Sequence, residues 1–411
     1  MFSQAIKIAY LSESQKIWFI RANSGLYARN FRYGKIIAIK HLEEAMGKDL
    51  GDRLPSEDEI RSAMLKNEKY FEFVEDNKTS KSVKTLNRAG SNLLGQIKRF
   101  ANDICAGDIV VTKNEEGGYS VGICTDDQAY IGGEPVVLPK IDGESSNGPV
   151  LKYKLRKSVT WGPSVSRSNL PHSVRRATRG QQTVTNLSDH KEKIFHLIYP
   201  FFTDGESLYF SNKITRQSDI NAIVVGKLFE NISLVEGLVD SILSEQSIDL
   251  NEVLKALNLK AFAEDGFVTC KAEFMSPGDM WCKIPLSQAK ELIPQLVAGV
   301  VVCLLLTGQP EAAELVESSN RDSLELAIVS SETSDIFNEK FKPAEPSKGL
   351  KDLKEKLKKK RANLASVESA RSAIEIKENL GLGLTNADTS RLEGFKYGVN
   401  VIELRGSYEA N

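Results

Sequence analysis

The sequence predicts an α+β fold in more than one unit, and three observations carry that prediction. Short apolar, β-branched runs bounded by glycine read as strands. Segments with apolar residues at helical spacing read as helices. Charge is segregated along the chain although the net charge is only −1. At 411 residues the chain can bury two or three cores, and 41% hydrophobic with 27% charged residues is an ordinary globular composition that excludes a disordered protein.

Residues 16–22 and 35–40 read as short buried strands on either side of a glycine turn and a helical turn. Ser56-Glu-Asp-Glu59 ahead of Ile60, Met64 and Leu65 is an N-cap with a capping box, and Leu93, Leu94, Ile97, Phe100, Ala101 and Ile104 recur at helical spacing. The stretch 77–83 between them reads as loop. Strands follow at 108–113, 119–124 and 150–161, with a glycine- and serine-rich surface loop near 142–148. Beyond Pro200, residues 220–229, 234–243 and 251–257 read as helices and 266–274 as a strand closed by Ser276-Pro277-Gly278. Residues 343–349 have the composition of a linker. Leu350, Leu353, Leu357, Leu364 and Val367 give the next segment an amphipathic helical stripe, and 399–404 reads as an edge or closing strand.

Between Lys152 and Lys193 ten Lys and Arg face only Asp189 and Glu192, a local balance of +8. That is the footprint of a nucleic-acid partner. From Pro200 to Pro346 the count is 11 basic against 23 acidic, a stretch that repels phosphate; Lys348 to Arg361 returns to +6. The expected organisation is therefore residues 1–195 as a nucleic-acid reader, 200–342 as an acidic α+β domain, and 347–411 as a basic helical segment with a terminal strand. Cys105, Cys124, Cys270, Cys282 and Cys303 lie far apart with no CxxC or Cys/His clustering, so neither a disulfide framework nor a zinc site is expected, and no cofactor. Free thiols and the lack of a long apolar segment at the N-terminus point to the cytoplasm.

The densest chemistry lies in Trp18-Phe-Ile-Arg21-Ala-Asn23-Ser24-Gly25-Leu-Tyr27, with Phe31 four residues on. An aromatic strand, a turn glycine and a cation suit a pocket for a flat, hydrogen-bonding base. Reading an extruded base needs aromatic walls, edge donors and cations on the flanking phosphates. The candidates are Trp18, Tyr27 and Trp161 as walls, Arg21, Asn23 and Ser24 as edge donors, and Arg167, Arg175, Arg176 and Arg179 on phosphate. The competing reading puts Trp18, Phe31 and Trp161 in the core, Arg21 at a strand end, and the 175–179 cluster on a solvated helix face.

Three further landmarks follow in order: Ala106-Gly-Asp108-Ile-Val-Val111 with Gly118-Tyr-Ser-Val-Gly122; Ser158-Val-Thr-Trp161; and Val165-Ser-Arg167-Ser-Asn-Leu170-Pro171 with Gln181-Gln182-Thr183-Val184. Together with the opening motif, this set resembles the N-terminal reader domain of Mrr-type restriction endonucleases over about residues 16–190. The resemblance implies a PUA/EVE-like β-barrel with helical insertions, followed here by an α+β domain and a C-terminal amphipathic helix. It also implies recognition of DNA, including modified bases, in bacterial defence against foreign DNA, with self-association or a partner effector protein delivering the outcome.

Two alternatives belong beside that reading. A divergent metal-dependent nuclease would need an acid-x-Lys strand. The nearest stretch, Asp265-Gly-Phe-Val-Thr269-Cys-Lys271-Ala-Glu273, has threonine where the second carboxylate belongs, so binding without cleavage is expected. A membrane-associated effector would use 292–308, within nineteen uncharged residues between Glu291 and Glu311. Pro294, Gln295, Gly308, Gln309 and Pro310 trim its strongly apolar part to the length of a buried helix, and both flanks are acidic.

Overall fold

The structure, a computed structural model, describes residues 5–47, 50–75, 82–139, 148–244, 268–272, 278–288, 290–320, 324–329, 337, 341, 351–360 and 368–406. The fold is mixed α+β and includes a curled half-barrel sheet. The chain divides into two compact units, and neither is the consecutive block expected. The smaller comprises Ser14–Lys191 with Ser390–Leu392; the larger comprises Met1–Glu13, Glu192–Thr389 and Glu393–Asn411.

In the smaller unit the strands run Val184–Asn186, Ile17–Ile20, Ile109–Lys113, Tyr119–Cys124, Leu155–Val165, Ile36–Ile39, with Tyr130–Ile131 also on Leu155–Val165. Among the described residues this path of strands is open, a half-barrel where the resemblance implies a β-barrel. Ile17–Ile20 lies parallel to Ile109–Lys113, with Phe19 opposite Val111. Both strands are continuous apolar runs because both of their faces are covered. The expected helices form at Glu57–Met64 and Arg88–Lys98, the first with the Ser56/Glu59 capping box intact. Their apolar stripes pack Met64, Leu94 and Ile97 against Phe31, Phe100 and Ile39. Of the stretch 77–83 read as loop, residues 77–81 lie outside the described residues, and Ser82 and Val83 begin a strand, Ser82–Leu86, that pairs with Phe71–Glu75 as a two-stranded sheet of its own. Phe73 is 63% exposed there, with Lys84 over the rings of Phe71 and Phe73.

The basic stretch beginning at Lys152 is not all surface. Lys157 is fully buried and donates to the carbonyls of Ile104 at 2.6 Å and Asp127 at 2.8 Å, while burial pushes its pKa down. Arg156 is 7% exposed. Arg156 and Lys157 therefore add little to the surface charge of this stretch, whereas Lys152 is exposed.

The larger unit is built on a sheet ordered Thr269–Ala272, Gly278–Pro285, Ser207–Ile214, Phe201–Thr203, Ile6–Tyr10, Val401–Gly406, Leu324–Val329, with Leu382–Leu384 also on Ser207–Ile214. Val401–Gly406 is interior rather than an edge, since it pairs with both Ile6–Tyr10 and Leu324–Val329. The helices expected near 220–229 and 234–243 form at Ala222–Ser233 and Val235–Leu243. The helix expected at 251–257, the linker at 343–349, the loop near 142–148 up to residue 147, and Leu350, Leu364 and Val367 of the amphipathic stripe lie outside the described residues.

The uncharged stretch becomes Leu292–Leu306, a 15-residue helix with twelve residues buried, ten of them in this unit's apolar core. It spans about 22 Å, short of the ~30 Å of a bilayer's apolar layer. Gly299 lets it lie against the sheet: a Cβ there would meet the Leu208 side chain at 2.6 Å. No helix among the described residues is long and apolar enough to cross a membrane.

Nor does 347–411 stand as a separate segment. Leu353 and Leu357 are buried in the same core, and Lys356 and Lys360 donate to the carbonyls of Leu243 and Ser244 at the end of Val235–Leu243. These cations serve a helix C-terminus, where they compensate the dipole.

His196 is buried, hydrogen bonded to Ser211 Oγ at 2.7 Å and stacked on Trp281 at 4.8 Å. Burial, with Lys271 adding to it, pushes its pKa down to about 3. The unfolded chain takes up this proton first as pH falls, so stability that is intact above about pH 6.5 is lost below it, at up to about 1.4 kcal/mol per pH unit. Melting curves between about pH 7 and pH 5 should show Tm falling, and His196→Gln should flatten the fall. Parallel curves for the two proteins would refute this linkage.

Candidate functional site

Strand Ile17–Ile20 alternates its side chains between two faces, and this alternation decides the site. Trp18 and Ile20 enter the core, where Trp18 is 3% exposed and donates Nε1–H to Asp108 Oδ2 at 2.9 Å. The same carboxylate accepts the backbone N–H of Cys105 and of Lys16, each at 3.0 Å. Trp161 is 5% exposed and donates to the carbonyl of Phe31 at 2.9 Å. Neither tryptophan is a pocket wall, because an indole sealed in the core and already hydrogen bonded presents no face to a ligand. Tyr27 is half-buried, edge-on to Tyr153 at 5.1 Å.

Phe19 takes the other face. It meets Tyr119, 5.8 Å away between ring centres, and the two line a cavity of about 270 Å³. Around that cavity stand Arg21, Lys113, Arg167, Arg175 and Arg179. No Asp or Glu lines it, and none of the five cations makes an ion pair among the described residues. Ser24 and Thr178 add hydroxyls.

Arg21, Lys113, Arg175 and Arg179 each arrive for a structural reason. The parallel register of Phe19 with Val111 sets the ends of two neighbouring strands, Arg21 and Lys113, at one rim. Asn23 and Ser24 have φ of +48° and +58° in a tight 3-10 turn, and Gly25 follows at +100° with its α-carbon against the Asn114 carbonyl, where a Cβ would sit at 2.9 Å. Only glycine fits there. The turn brings Ser24 to the cavity and leaves Asn23 exposed outside its lining.

Arg21 holds the opposite wall. Its backbone N–H donates to Thr183 O at 2.9 Å, and its guanidinium donates to Thr178 O at 3.4 Å and to Gly180 O. Those carbonyls follow the short helix His172–Ala177, so a cation is favoured at that end. The clamp presents Arg175 and Arg179 to the cavity, while Arg176 is exposed and does not line it. The Nε groups of Arg21 and Arg175 are buried without a partner among the described residues. Tyr119 O–H bonds Thr178 Oγ1, and burial raises the tyrosine's pKa, so it stays a neutral donor.

Thus Arg21, Ser24, Arg167, Arg175 and Arg179 are gathered as expected, whereas Trp18, Trp161, Tyr27, Asn23 and Arg176 are not. Sequence reasoning missed Phe19, Lys113, Tyr119 and Thr178. Comparison with protein-family models, curated proteins and solved structures finds no match to the chain.

A second, polar cleft of about 420 Å³ lies beyond the same segment, between His41, the helix Arg88–Lys98 and Gln181–Gln182–Thr183. Its wall is fixed by Val184 N–H donating to Gln96 Oε1 at 2.7 Å and by Arg99 donating to Gln182 Oε1 at 3.2 Å. For the nuclease alternative, Thr269–Ala272 does form a strand carrying Lys271, but Asp265 and Glu273 lie outside the described residues. Among the described residues no group of three or more His, Cys, Asp or Glu could hold a metal ion.

Arg21→Met should remove the carbonyl clamp while keeping the apolar stem. Amide hydrogen exchange at Thr178 and Arg179 should then quicken about tenfold, equivalent to roughly 1.4 kcal/mol, with unchanged far-ultraviolet circular dichroism. Unchanged exchange would remove Arg21 from this role.

Proposed function

We propose that the chain binds nucleic acid, gripping phosphate in the cavity ringed by Arg21, Lys113, Arg167, Arg175 and Arg179. The observation that carries the reading is the convergence of five cations without a lining carboxylate or an ion pair among the described residues. Like charges so gathered repel one another until an anion enters. Arginine, the fork-shaped donor in four of the five positions, suits phosphate oxygens. The buried, unpartnered Nε groups of Arg21 and Arg175 fit the same demand for acceptors.

Base contact in this reading does not use Trp18 or Trp161. The exposed ring of Phe73, on a hairpin with Lys84 above it, offers a stacking surface that tolerates any base. DNA as the nucleic acid, sensitivity to modified bases and a role in defence against foreign DNA are supported by the resemblance to Mrr-type readers alone. The larger unit, through a partner or self-association, would then turn binding into an outcome.

Fluorescence anisotropy with labelled single-stranded and duplex DNA at several salt concentrations tests this. Log affinity should fall linearly with log salt, with a slope of about −4.5 for five contacted phosphates on duplex. Arg175→Ala with Arg179→Ala should lower the slope by about 2, and Phe73→Ala should weaken single-strand binding by about 1–3 kcal/mol with the slope retained. Salt-independent binding, or a double variant identical to the parent, would overturn the proposal.

A further inference from the structure

The cysteines, far apart in sequence, are not all apart in the fold. Thr269–Ala272 is the end strand of the larger unit's sheet and pairs only with Gly278–Pro285 among the described residues. In that antiparallel register Cys270 lies directly opposite Cys282, and their sulfurs are 2.8 Å apart. Directly opposed residues have Cα atoms about 4.5–5.5 Å apart, within the roughly 4.4–6.8 Å that a disulfide spans, and their side chains share one face of the sheet. A bond between the two sulfurs therefore needs no rearrangement of either strand.

We propose that Cys270 and Cys282 are an oxidisable pair that closes to a disulfide with a low-molecular-weight disulfide as oxidant. The two thiols differ in access, and this sets the order of events. Cys282 is 1% exposed, and the neighbouring Cys270 thiol together with burial holds its pKa well above the ordinary thiol value. Cys270 keeps partial exposure and is the point of entry. Its thiolate attacks one sulfur of the oxidant and expels the other as a thiolate, leaving a mixed disulfide on Cys270. The Cys282 thiol then gives up its proton and attacks Cys270 Sγ, and the second small thiol leaves. Two protein thiols and one small disulfide become one protein disulfide and two small thiols, the two electrons passing to the oxidant. The third thiol of this unit, Cys303, sits on the central helix at 2% exposure, where burial keeps it protonated and inert.

The consequence is local and reversible. Among the described residues no strand pairs with the outer side of this end strand, and such an edge frays or recruits foreign strands. A bond from Cys270 to Cys282 staples it to its inner neighbour, and small dithiols release it. The inference is independent of nucleic-acid binding.

The test uses the purified full-length protein, reduced, freed of reductant and incubated with oxidised glutathione without denaturant. Trypsin should then release residues 261–271 joined to residues 272–283, a species two hydrogens lighter than the separate peptides and abolished by dithiothreitol. Cys270→Ser should prevent any link to Cys282, and Cys282→Ser should arrest the reaction as a glutathione adduct on Cys270. Absence of the joined peptide, a stable adduct on Cys270 in the parent protein, or linkage through Cys303 would overturn the proposal. Cys105, exposed in the smaller unit, reports that the oxidant was active by taking up glutathione.

Discussion

Everything at the candidate site depends on one carboxylate. Asp108 accepts the Trp18 indole N–H and the backbone N–H groups of Cys105 and Lys16, three donors from two separate stretches of chain. The contacts lock Ile17–Ile20 beside Ile109–Lys113 with one face turned inward, because a slip of one residue would send every side chain to the opposite face. With Trp18 pinned inside, Phe19 must face the cavity and Arg21 must end the strand at its rim. Losing the acceptor would strand a buried indole N–H, at about 1–3 kcal/mol, and would also loosen the register on which the site rests.

The second constraint is electrostatic. Five cations around about 270 Å³ are unfavourable in isolation, and the fold offsets part of that cost with carbonyls rather than carboxylates. Arg21 spends its guanidinium on the Thr178 and Gly180 carbonyls, which hold it in place without cancelling its charge. A carboxylate partner would have fixed the same geometry and removed the field. Elsewhere the protein does pair its charges, as in Lys98 with Glu57 and Lys40 with Glu44. The cavity breaks that habit, and such local departures from charge pairing are where binding sites are expected.

What was legible in the sequence had local causes. The Ser56 capping box needs only four residues, and the proline- and glycine-trimmed length of the uncharged stretch favours a buried helix over a bilayer span, as Leu292–Leu306 is. The arginines of 167–179 were legible as a patch because few acids interrupt them. The aromatic walls were not, since Trp18 and Phe19 are both buried, at 3% and 2%, and alternation cannot say which face of a doubly covered strand meets a cavity. Lys157, Lys356 and Lys360 counted as surface charge, although buried or helix-end carbonyls claim them. The pairing of Cys270 with Cys282 was hidden because separation along the chain says nothing of strand register.

The interleaving of the two units was the least legible feature, and it has a physical consequence. Ile8 pairs with both Phe201 and Ile402, so the larger sheet takes interior strands from both ends of the described chain and from a segment that follows the whole of Ser14–Lys191. Such a sheet bears a large loop-closure cost before its contacts repay it. Nearly all of the smaller unit is one continuous segment, with only Ser390–Leu392 added from elsewhere. Its folding shortens the effective separation between Ile8 and Phe201, which lowers the closure cost of the larger sheet. The interactions that fix the cation-lined cavity, with Asp108 foremost, therefore also prepare the chain for a sheet in which they take no direct part.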